Sequence, residues 1–441
     1  MKPTANASFQ LPRILLGLHA LLMPAMAASQ SAPGWREYNR AATAAIAAGD
    51  TAGYQRALRA LQQNVGATPR LAARLANAAF VTHDTAAGKS WLERLAAMGV
   101  PMDSGLVRTY GRVAGTDALV QLRSTSVAAA RTVDSSTIAW SFADPGLLAE
   151  DLGYDASHKR FLVTSAHRGG VYAVDEHGGV SRFAPSPAKL WGLLGLAVDS
   201  TRHILWVTTA AFPGTTNYSA ADSGKSALLA YDLNSARMIA TYAPIDPGPH
   251  AFGDITLAPD GSVYVGDGFG GGVYVLHSGA TALKAVAPRG TFSSPQTPVV
   301  SRDGRRLFVP DYTYGIASIS LETGRWHWLR HADSLALSGI DGLYRQGDDL
   351  IAVQNGLSPN RISRLAVIGD SLVTRTEVLG RGGEISDVNH AHILGNRIYF
   401  IARSGWDRVG DDGVMLNNPG SVTPQIRWMP LGPGANDRPR R

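Results

Sequence analysis

Residues 253–265 read GDITLAPDGSVYV, and this segment ends in a pattern that the chain repeats. Large apolar residues end on a β-branched one, here Val263-Tyr264-Val265, and the turn signal Asp260-Gly261 precedes them. The same pattern returns at Phe161-Leu162-Val163, Leu205-Trp206-Val207, Leu307-Phe308-Val309, Ile351-Ala352-Val353 and Tyr399-Phe400-Ile401. Such runs, bounded by turn residues, are typical of β-strands.

The spacing of these patterns indicates the architecture. Counted at the last residue of each, the steps are 44, 58, 44, 44 and 48 residues. A period of roughly 40–50 residues with several short strands per unit is typical of a β-propeller. We therefore predict a mainly β fold, a six-bladed β-propeller over residues 136–432. The strand near Ile138 or residues 425–429 should close the ring, in a blade that both ends of the chain share.

Residues 1–27 have the features of a secretory signal peptide. Lys2 and Arg13 supply positive charge, residues 14–23 form a short apolar core, and Ala25-Met26-Ala27 fits a cleavage site. The apolar core is too short for a bilayer, which needs about 20 residues. We expect cleavage after Ala27, no transmembrane anchor, and a periplasmic or secreted protein.

The amino-acid composition indicates how the protein is stabilised and which binding partners it could have. The chain has no cysteine, so an exported form must rely on its core rather than on disulfides. Its 41 Lys and Arg residues against 35 Asp and Glu residues give a modest net charge of +6. No basic stripe with interleaved aromatic residues is present, which argues against a nucleic-acid partner.

Residues 34–105 differ from the rest, because their apolar residues follow helical spacing, and we place a helical region within residues 28–120. Two helical hairpins are predicted, similar to tetratricopeptide or ankyrin-type repeats, before a linker over residues 106–135. One interpretation is a small α-helical cap packed on the propeller. The other is a module that docks a protein partner.

Polar residues occupy most of the positions that lie 12 or 13 residues before the last residue of each repeated pattern, where the innermost strand of each blade should begin. Those strand starts converge on the propeller axis. The positions are Glu150, Leu194, Gly253 next to Asp254, Gln296, Asp341, and Asn389 next to His390. Carboxylate and amide oxygens suit a hard cation, Ca²⁺ first and Mg²⁺ or Mn²⁺ next. We predict Glu150, Asp254, Gln296 and Asp341 as metal ligands.

Further residues are expected at the mouth of this axial site. Candidate substrate-binding residues are Arg168, His250, Phe269, Tyr312, Arg361 and His390. The arginines could hold an anionic or sugar-like ligand, and the aromatic rings could stack on it. The long step of 58 residues places an insertion within residues 211–226, which we expect to overhang the site as a lid.

These residues also carry a resemblance to a known family. Residues 150–155 (EDLGYD), 253–265, 267–271 (DGFGG) and 340–343 (IDGL) resemble the senescence-marker-protein/gluconolactonase/luciferin-regenerating-enzyme-like family of six-bladed propellers. The resemblance covers roughly residues 140–430, and extends more distantly to the arylesterase/paraoxonase group. It implies hydrolysis of a small lactone or ester, with Glu150 and Asp341 holding a divalent metal and Asp341 also acting as general base.

Two positions depart from the family pattern. The family has an Asn-Asp pair where this chain has Gly253-Asp254, and an Asn-Gly pair where it has Gln296-Thr297. One amide ligand is lost and another is lengthened. The alternative is therefore a non-catalytic ligand- or protein-binding propeller whose degenerate site holds no metal. A metal-free, lyase-type propeller in which a Glu acts is a third possibility.

Overall fold

The structure is a computed structural model that describes residues 34–184, 191–410, 412–416 and 423–432. The predicted signal peptide, residues 1–27, lies outside the described residues. None of the helices in the described part of the chain has the length and apolarity needed to span a bilayer.

Six α-helices come first: α1 Trp35–Ala47, α2 Thr51–Val65, α3 Pro69–Val81, α4 Thr85–Ala97, α5 Ser104–Ala114 and α6 Thr116–Ala129. Side chains cap several of their N-termini. Asp50 accepts a hydrogen bond from the Gly53 amide at 2.7 Å, and Asp84 accepts one from the Ala87 amide at 3.0 Å. Thr68 does the same for α3, where Pro69 occupies the first helical position.

The linker predicted over residues 106–135 is wrong, because α5 and most of α6 lie within it. Gly105, Gly111 and Gly115 weaken the helical pattern in the sequence, since each glycine in a helix costs about 1 kcal/mol relative to alanine. Packing overrides that cost: Ala114 and Leu119 are buried in one cluster with side chains of α4.

Within the described residues, twenty-four strands follow, in six four-stranded antiparallel sheets. The strands of blades 1, 2 and 3 are β2 Ala149–Asp155, β3 Arg160–Ser165, β4 Gly170–Val174, β5 Val180–Arg182, β6 Gly192–Asp199, β7 Ile204–Ala210, β8 Ser226–Asp232, β9 Met238–Tyr242, β10 Phe252–Leu257, β11 Val263–Asp267, β12 Gly272–Leu276 and β13 Lys284–Ala287. Those of blades 4 and 5 are β14 Val299–Val300, β15 Arg306–Asp311, β16 Gly315–Ser320, β17 Trp326–Trp328, β18 Ile340–Gln346, β19 Asp349–Gln354, β20 Arg361–Ile368 and β21 Leu372–Arg381.

Blade 6 joins the two ends of the propeller. It consists of β22 Ala391–Leu394, β23 Arg397–Ala402, β24 Gln425–Pro430 and, as its outermost strand, β1 Thr137–Ser141. Thr137 pairs with Trp428, and Ser141 pairs with Gln425. The predicted fold class, a six-bladed propeller preceded by a helical region, is confirmed. Closure pairs strand edges that would otherwise be exposed.

The repeated pattern forms the second strand of every blade. Its six final residues, Val163, Val207, Val265, Val309, Val353 and Ile401, are all fully buried. The Asp260-Gly261 turn works as its sequence suggests: Gly261 has φ +87°, and Asp260 accepts a hydrogen bond from the Ser262 amide at 2.9 Å. Adjacent blades share core clusters, such as Leu162 and Val171 of blade 1 with Leu193 and Leu205 of blade 2.

The helical region packs on the end of the propeller at which the innermost strands begin. Trp35 Nε1 donates to the Thr291 carbonyl at 3.0 Å, and Asn39 bonds with Tyr314. Gln62 donates to Asp333 at 2.9 Å. These propeller residues lie in loops β13–β14, β15–β16 and β17–β18, which all lie at that end. The cap interpretation predicts this packing.

Candidate functional site

The innermost strands β2, β10 and β18 place three carboxylates around the axis. Glu150 and Asp341 are the second residues of β2 and β18, and Asp254 is the third residue of β10. Gln296 lies just before β14, and Asn389 and His390 lie just before β22. The positions found by counting back along the sequence therefore do lie at the strand starts.

Threonine side chains hold these strand starts in place. Thr164 of β3 donates to the carbonyl of Leu194, and Thr208 of β7 donates to the carbonyl of Gly253. Thr297 Oγ1 donates to the carbonyl of Asp341 at 3.0 Å. Each bond runs from one blade to the innermost strand of the next, so the axial residues are positioned by neighbouring blades.

A cavity of about 760 Å³ opens at this end of the axis. Among the residues that line it are Glu150, Gln296, Asp341, Asn355, Asn389 and Trp406. Its lining is strongly polar, so it suits a polar ligand rather than an apolar one.

Hydrogen bonds orient Glu150 and Asp341, two of the four carboxylates that line the cavity. Glu150 Oε2 accepts from Asn389 Nδ2 at 2.7 Å and from the Trp406 indole. Asp341 Oδ2 accepts from Asn355 Nδ2 at 2.6 Å, and Asn355 Oδ1 accepts in turn from the Tyr312 hydroxyl at 3.0 Å. Sequence reasoning missed Asn355. Its position in the sequence could have indicated it. Asn355 lies two residues after Val353, directly after the second strand of blade 5, and that strand runs back to the cavity end.

A second layer lies beneath the cavity lining. His390 Nδ1 donates to the Glu150 carbonyl at 3.0 Å, and Nε2 lies 2.9 Å from Asp254 Oδ1. Asp254, Asp341 and His390 each offer one ligand-type atom, and these atoms lie within 4.8 Å of one another. Among the described residues, neither Asp254 Oδ2 nor His390 Nε2 has a hydrogen-bond partner of good geometry.

Burial dominates the electrostatics of this cluster. It raises the pKa of Glu150 to about 8 and that of Asp151 to about 7, and it also raises the pKa of Asp341. Burial favours the neutral ring of His390, but the surrounding carboxylates, led by Asp254 and Asp341, raise its pKa well above the ordinary value. Neutralisation of these carboxylates by protons, by His390 or by a cation is therefore favoured.

The donor set fits a hard divalent cation. Glu150 and Asp341 offer carboxylate oxygens. The Gln296 amide nitrogen donates to Ser294 Oγ at 2.9 Å, which leaves its amide oxygen as the atom that could bind a metal. The unpartnered Asp254 Oδ2 is a further acidic oxygen close by. Ca²⁺ takes six to eight such oxygen ligands in flexible geometry.

The insertion lies beside the cavity. Residues 211–225 connect β7 to β8 at the cavity end, and the Phe212 ring lies 5.8 Å from the ring of Trp406, which lines the cavity. The Thr216 amide donates to the His167 carbonyl at 3.0 Å, which ties the loop to blade 1. This loop therefore packs against Trp406, and none of its residues is among those that line the cavity.

Some of the predicted substrate-binding residues lie at the axial cavity, and others lie away from it. Tyr312 lines the cavity, and His390 lies just beneath it. Arg168 instead pairs with Asp144 at 3.2 Å, away from the cavity lining. Phe269 projects from the β11–β12 turn and is 67% exposed, also outside the lining.

His250 and Arg361 are buried in other contacts. His250 Nδ1 lies 2.6 Å from Asp267 Oδ2, and its Nε2 lies 2.9 Å from the Asp246 carbonyl, so both ring nitrogens have partners. Arg361 Nη1 donates to the Met98 carbonyl at the end of α4, at 3.0 Å. Neither residue lines the axial cavity, because its partners hold it elsewhere.

Comparisons with known proteins give distant matches only. No protein-family model matches the chain, and no curated protein matches it. Among solved structures, the chain is similar to an aldose sugar dehydrogenase of Streptomyces coelicolor in its PQQ-bound form, with 13% identity over 68% of this chain and 98% of that chain and a TM-score of 0.46.

Two further solved structures have other activities. XC5397 of Xanthomonas campestris, a gluconolactonase, shares 14% identity over 69% of this chain and 92% of that chain, with a TM-score of 0.45. Virginiamycin B lyase of Staphylococcus aureus shares 12% identity over 67% and 88% of the two chains, with a TM-score of 0.43. At these values the similarities carry no argument about activity, and the propeller assignment rests on the strand pairing of this chain.

Proposed function

We propose that this chain is an exported hydrolase of a small lactone or ester that works with a divalent cation at the axial site. The observation that supports the proposal is the convergence of Glu150, Gln296 and Asp341 on one polar cavity of about 760 Å³. Ca²⁺ is the first choice and Mg²⁺ or Mn²⁺ the next, because the donors are oxygens. Export is proposed from residues 1–27 alone.

The cation would polarise the substrate carbonyl and stabilise the negative charge that forms on its oxygen. Asp341 takes the proton of the attacking water. Its Oδ2 is held by Asn355, whereas its Oδ1 accepts no hydrogen bond from the described residues. Asn389 and Trp406 hold the Glu150 carboxylate toward the cavity.

The walls of the cavity favour a small polar substrate. Tyr312 and Trp406 supply aromatic faces, and Asn355 and Asn360 supply amide groups. Phe212 supports Trp406 from the inserted loop. A ring with several hydroxyl groups, as in a sugar lactone, matches this mixture of aromatic and amide surfaces better than an apolar ester does.

A hydrolysis screen tests the proposal. Residues 28–441 would be offered sugar lactones, simple lactones and aryl esters with Ca²⁺, and acid release would be followed. We expect turnover that Asp341→Asn reduces by roughly 10²–10⁴-fold, because the general base is lost. Asp370→Asn is the matched control, since Asp370 pairs with Arg306 at the other end of the propeller. Equal turnover by Asp341→Asn would contradict the proposal.

The second candidate function is ligand binding without a metal. The observation that favours it is the His390–Asp254 contact of 2.9 Å, because a histidinium ion can itself supply the positive charge at the axis. Under this function no divalent cation binds, and polar ligands bind the cavity without being turned over. Equilibrium dialysis of sugar lactones with chelator-treated protein distinguishes the two functions.

A further inference from the structure

A second, smaller cavity lies between the helical region and blade 5. It has a volume of about 120 Å³ and is lined by Met98, Gly99, Ser334, Arg361, Thr376 and Arg381, among others. It is separate from the axial cavity, with which it shares no lining residue. Two of its lining residues are arginines, and both side chains are almost completely buried.

These two arginines contact the ends of two helices. Arg361 Nη1 donates to the Met98 carbonyl after α4, and Arg381 Nε donates to the Arg131 carbonyl after α6 at 2.9 Å. Both guanidinium groups converge on one point. A Cβ atom added to Gly99 would lie 3.4 Å from Arg381 Nη1 and 3.5 Å from Arg361 Nη1.

The hydrogen bonds to the helix ends do not use all of the N–H groups of the two arginines. Arg361 is 6% exposed, and its Nε and Nη2 atoms have no hydrogen-bond partner among the described residues. Burial, followed by the like charge of Arg381, lowers the pKa of Arg361 to about 10. Burying like charges together is costly unless a counter-charge and further hydrogen bonds accompany them.

We propose that this cavity binds a tetrahedral oxyanion of phosphate size between Arg361 and Arg381. The planar forks of two arginines match the oxygens of such an anion. Ser334 and Thr376 also line this cavity, and their hydroxyl groups are the side-chain donors proposed for the remaining oxygens. The bound anion joins the ends of α4 and α6 to β20 and β21.

Calorimetric titration of inorganic phosphate into residues 28–441, in chloride buffer of constant ionic strength, tests the proposal. We expect one equivalent to bind, with at least a tenfold loss of affinity in both Arg361→Gln and Arg381→Gln. Arg160→Gln should keep the wild-type affinity, because it removes a guanidinium that pairs with Asp155 in another part of the propeller. Phosphate should also raise the melting temperature of the wild type.

Several outcomes would overturn the proposal. They are the absence of saturable phosphate binding by the wild type, an unchanged affinity in Arg361→Gln, and competition by acetate as strong as that by sulfate. If the Gln variants do not fold, the milder Arg381→Lys and Ser334→Ala carry the test, and an unchanged affinity in both overturns it. Asp341→Asn should still bind phosphate, so the result is independent of the axial site.

Discussion

Glu150 belongs to blade 1, yet the contacts that orient it come from blade 6. Asn389 and Trp406 hold its carboxylate, and His390 bonds to its backbone carbonyl. The start of β18 is likewise tied to blade 4 through Thr297. The carboxylates therefore cannot move apart to relieve their repulsion without breaking contacts between blades. Carboxylates held this close must be neutralised by protons, by His390 or by a cation, and we propose a cation.

His331 is a single residue that couples the helical region to the propeller. A Cβ added to Gly66, at the end of α2, would lie 2.4 Å from its Nε2 atom. Burial lowers the pKa of His331 below its ordinary value, and the hydrogen bond to the Ala332 carbonyl and the charge of Asp333 oppose this only in part. Asp333 itself lies 3.6 Å from Arg94 of α4.

This burial predicts a loss of stability in acid. The folded protein favours neutral His331, so the free energy of unfolding is fully retained above the unfolded pKa of about 6.5. It declines as the pH falls below that value toward the lower pKa of the folded state. We expect His331→Gln to remove part of this decline in urea unfolding between pH 7 and pH 5. His83→Gln, at an exposed histidine, is the control, and an unchanged slope in His331→Gln would contradict the prediction.

At the scale of elements, the threonine bonds transmit position from blade to blade. Thr208 and Thr209 are adjacent in β7, but their hydroxyls reach different carbonyls. Thr208 bonds to Gly253, next to the axial Asp254, whereas Thr209 bonds to Gly192 within its own blade. Changing Thr208 therefore affects both the stability of the fold and the position of the axial residues, whereas changing Thr209 affects stability alone.

We therefore predict different effects for two isosteric changes. Thr208→Val and Thr209→Val should each lower the free energy of unfolding by about 0.5–1.5 kcal/mol, because each removes a side-chain hydrogen bond to a backbone carbonyl. Only Thr208→Val should also weaken Ca²⁺ binding, measured by calorimetry. Equal Ca²⁺ affinities in the two variants would show that this bond does not position the axial site.

The elements also show what the sequence can and cannot predict. The second strands were found because Val265 and its counterparts recur at a near-constant spacing with turn signals before them. Counting back from them located Glu150 and Asp341, because a segment of near-constant length, made of the first strand, a turn and most of the second strand, leads from the axis to each marker. Arg361 was misplaced because its partner, Met98, is 263 positions away, and no local pattern reports such a contact.

For the whole molecule, the helical region and the propeller share one core. Leu58 and Leu61 of α2 are buried in the same cluster as Tyr264, Phe292 and Trp328 of the propeller. Such packing was one of two interpretations of the sequence, and no local pattern could decide between them. The helices therefore stabilise the propeller end that carries the axial cavity.

Removing the helical region should accordingly damage the propeller. Deletion of residues 34–129 uncovers several large side chains, each of which contributes about 1.5–3 kcal/mol when buried. We expect the deleted protein to aggregate or to melt at a clearly lower temperature in calorimetry. Val120→Ser is the control, because Val120 lies on α6 and is 49% exposed. A propeller that melts unchanged without its helices would contradict this account.

The central claim, a divalent cation at the propeller axis, is tested most directly by metal binding. Chelator-treated protein, residues 28–441, would be titrated with Ca²⁺ in a calorimeter beside its Asp341→Asn variant. The account predicts one bound equivalent in the wild type and at least a tenfold weaker affinity in the variant. No binding of Ca²⁺, Mg²⁺ or Mn²⁺ up to millimolar concentration, or equal binding by both proteins, would contradict it.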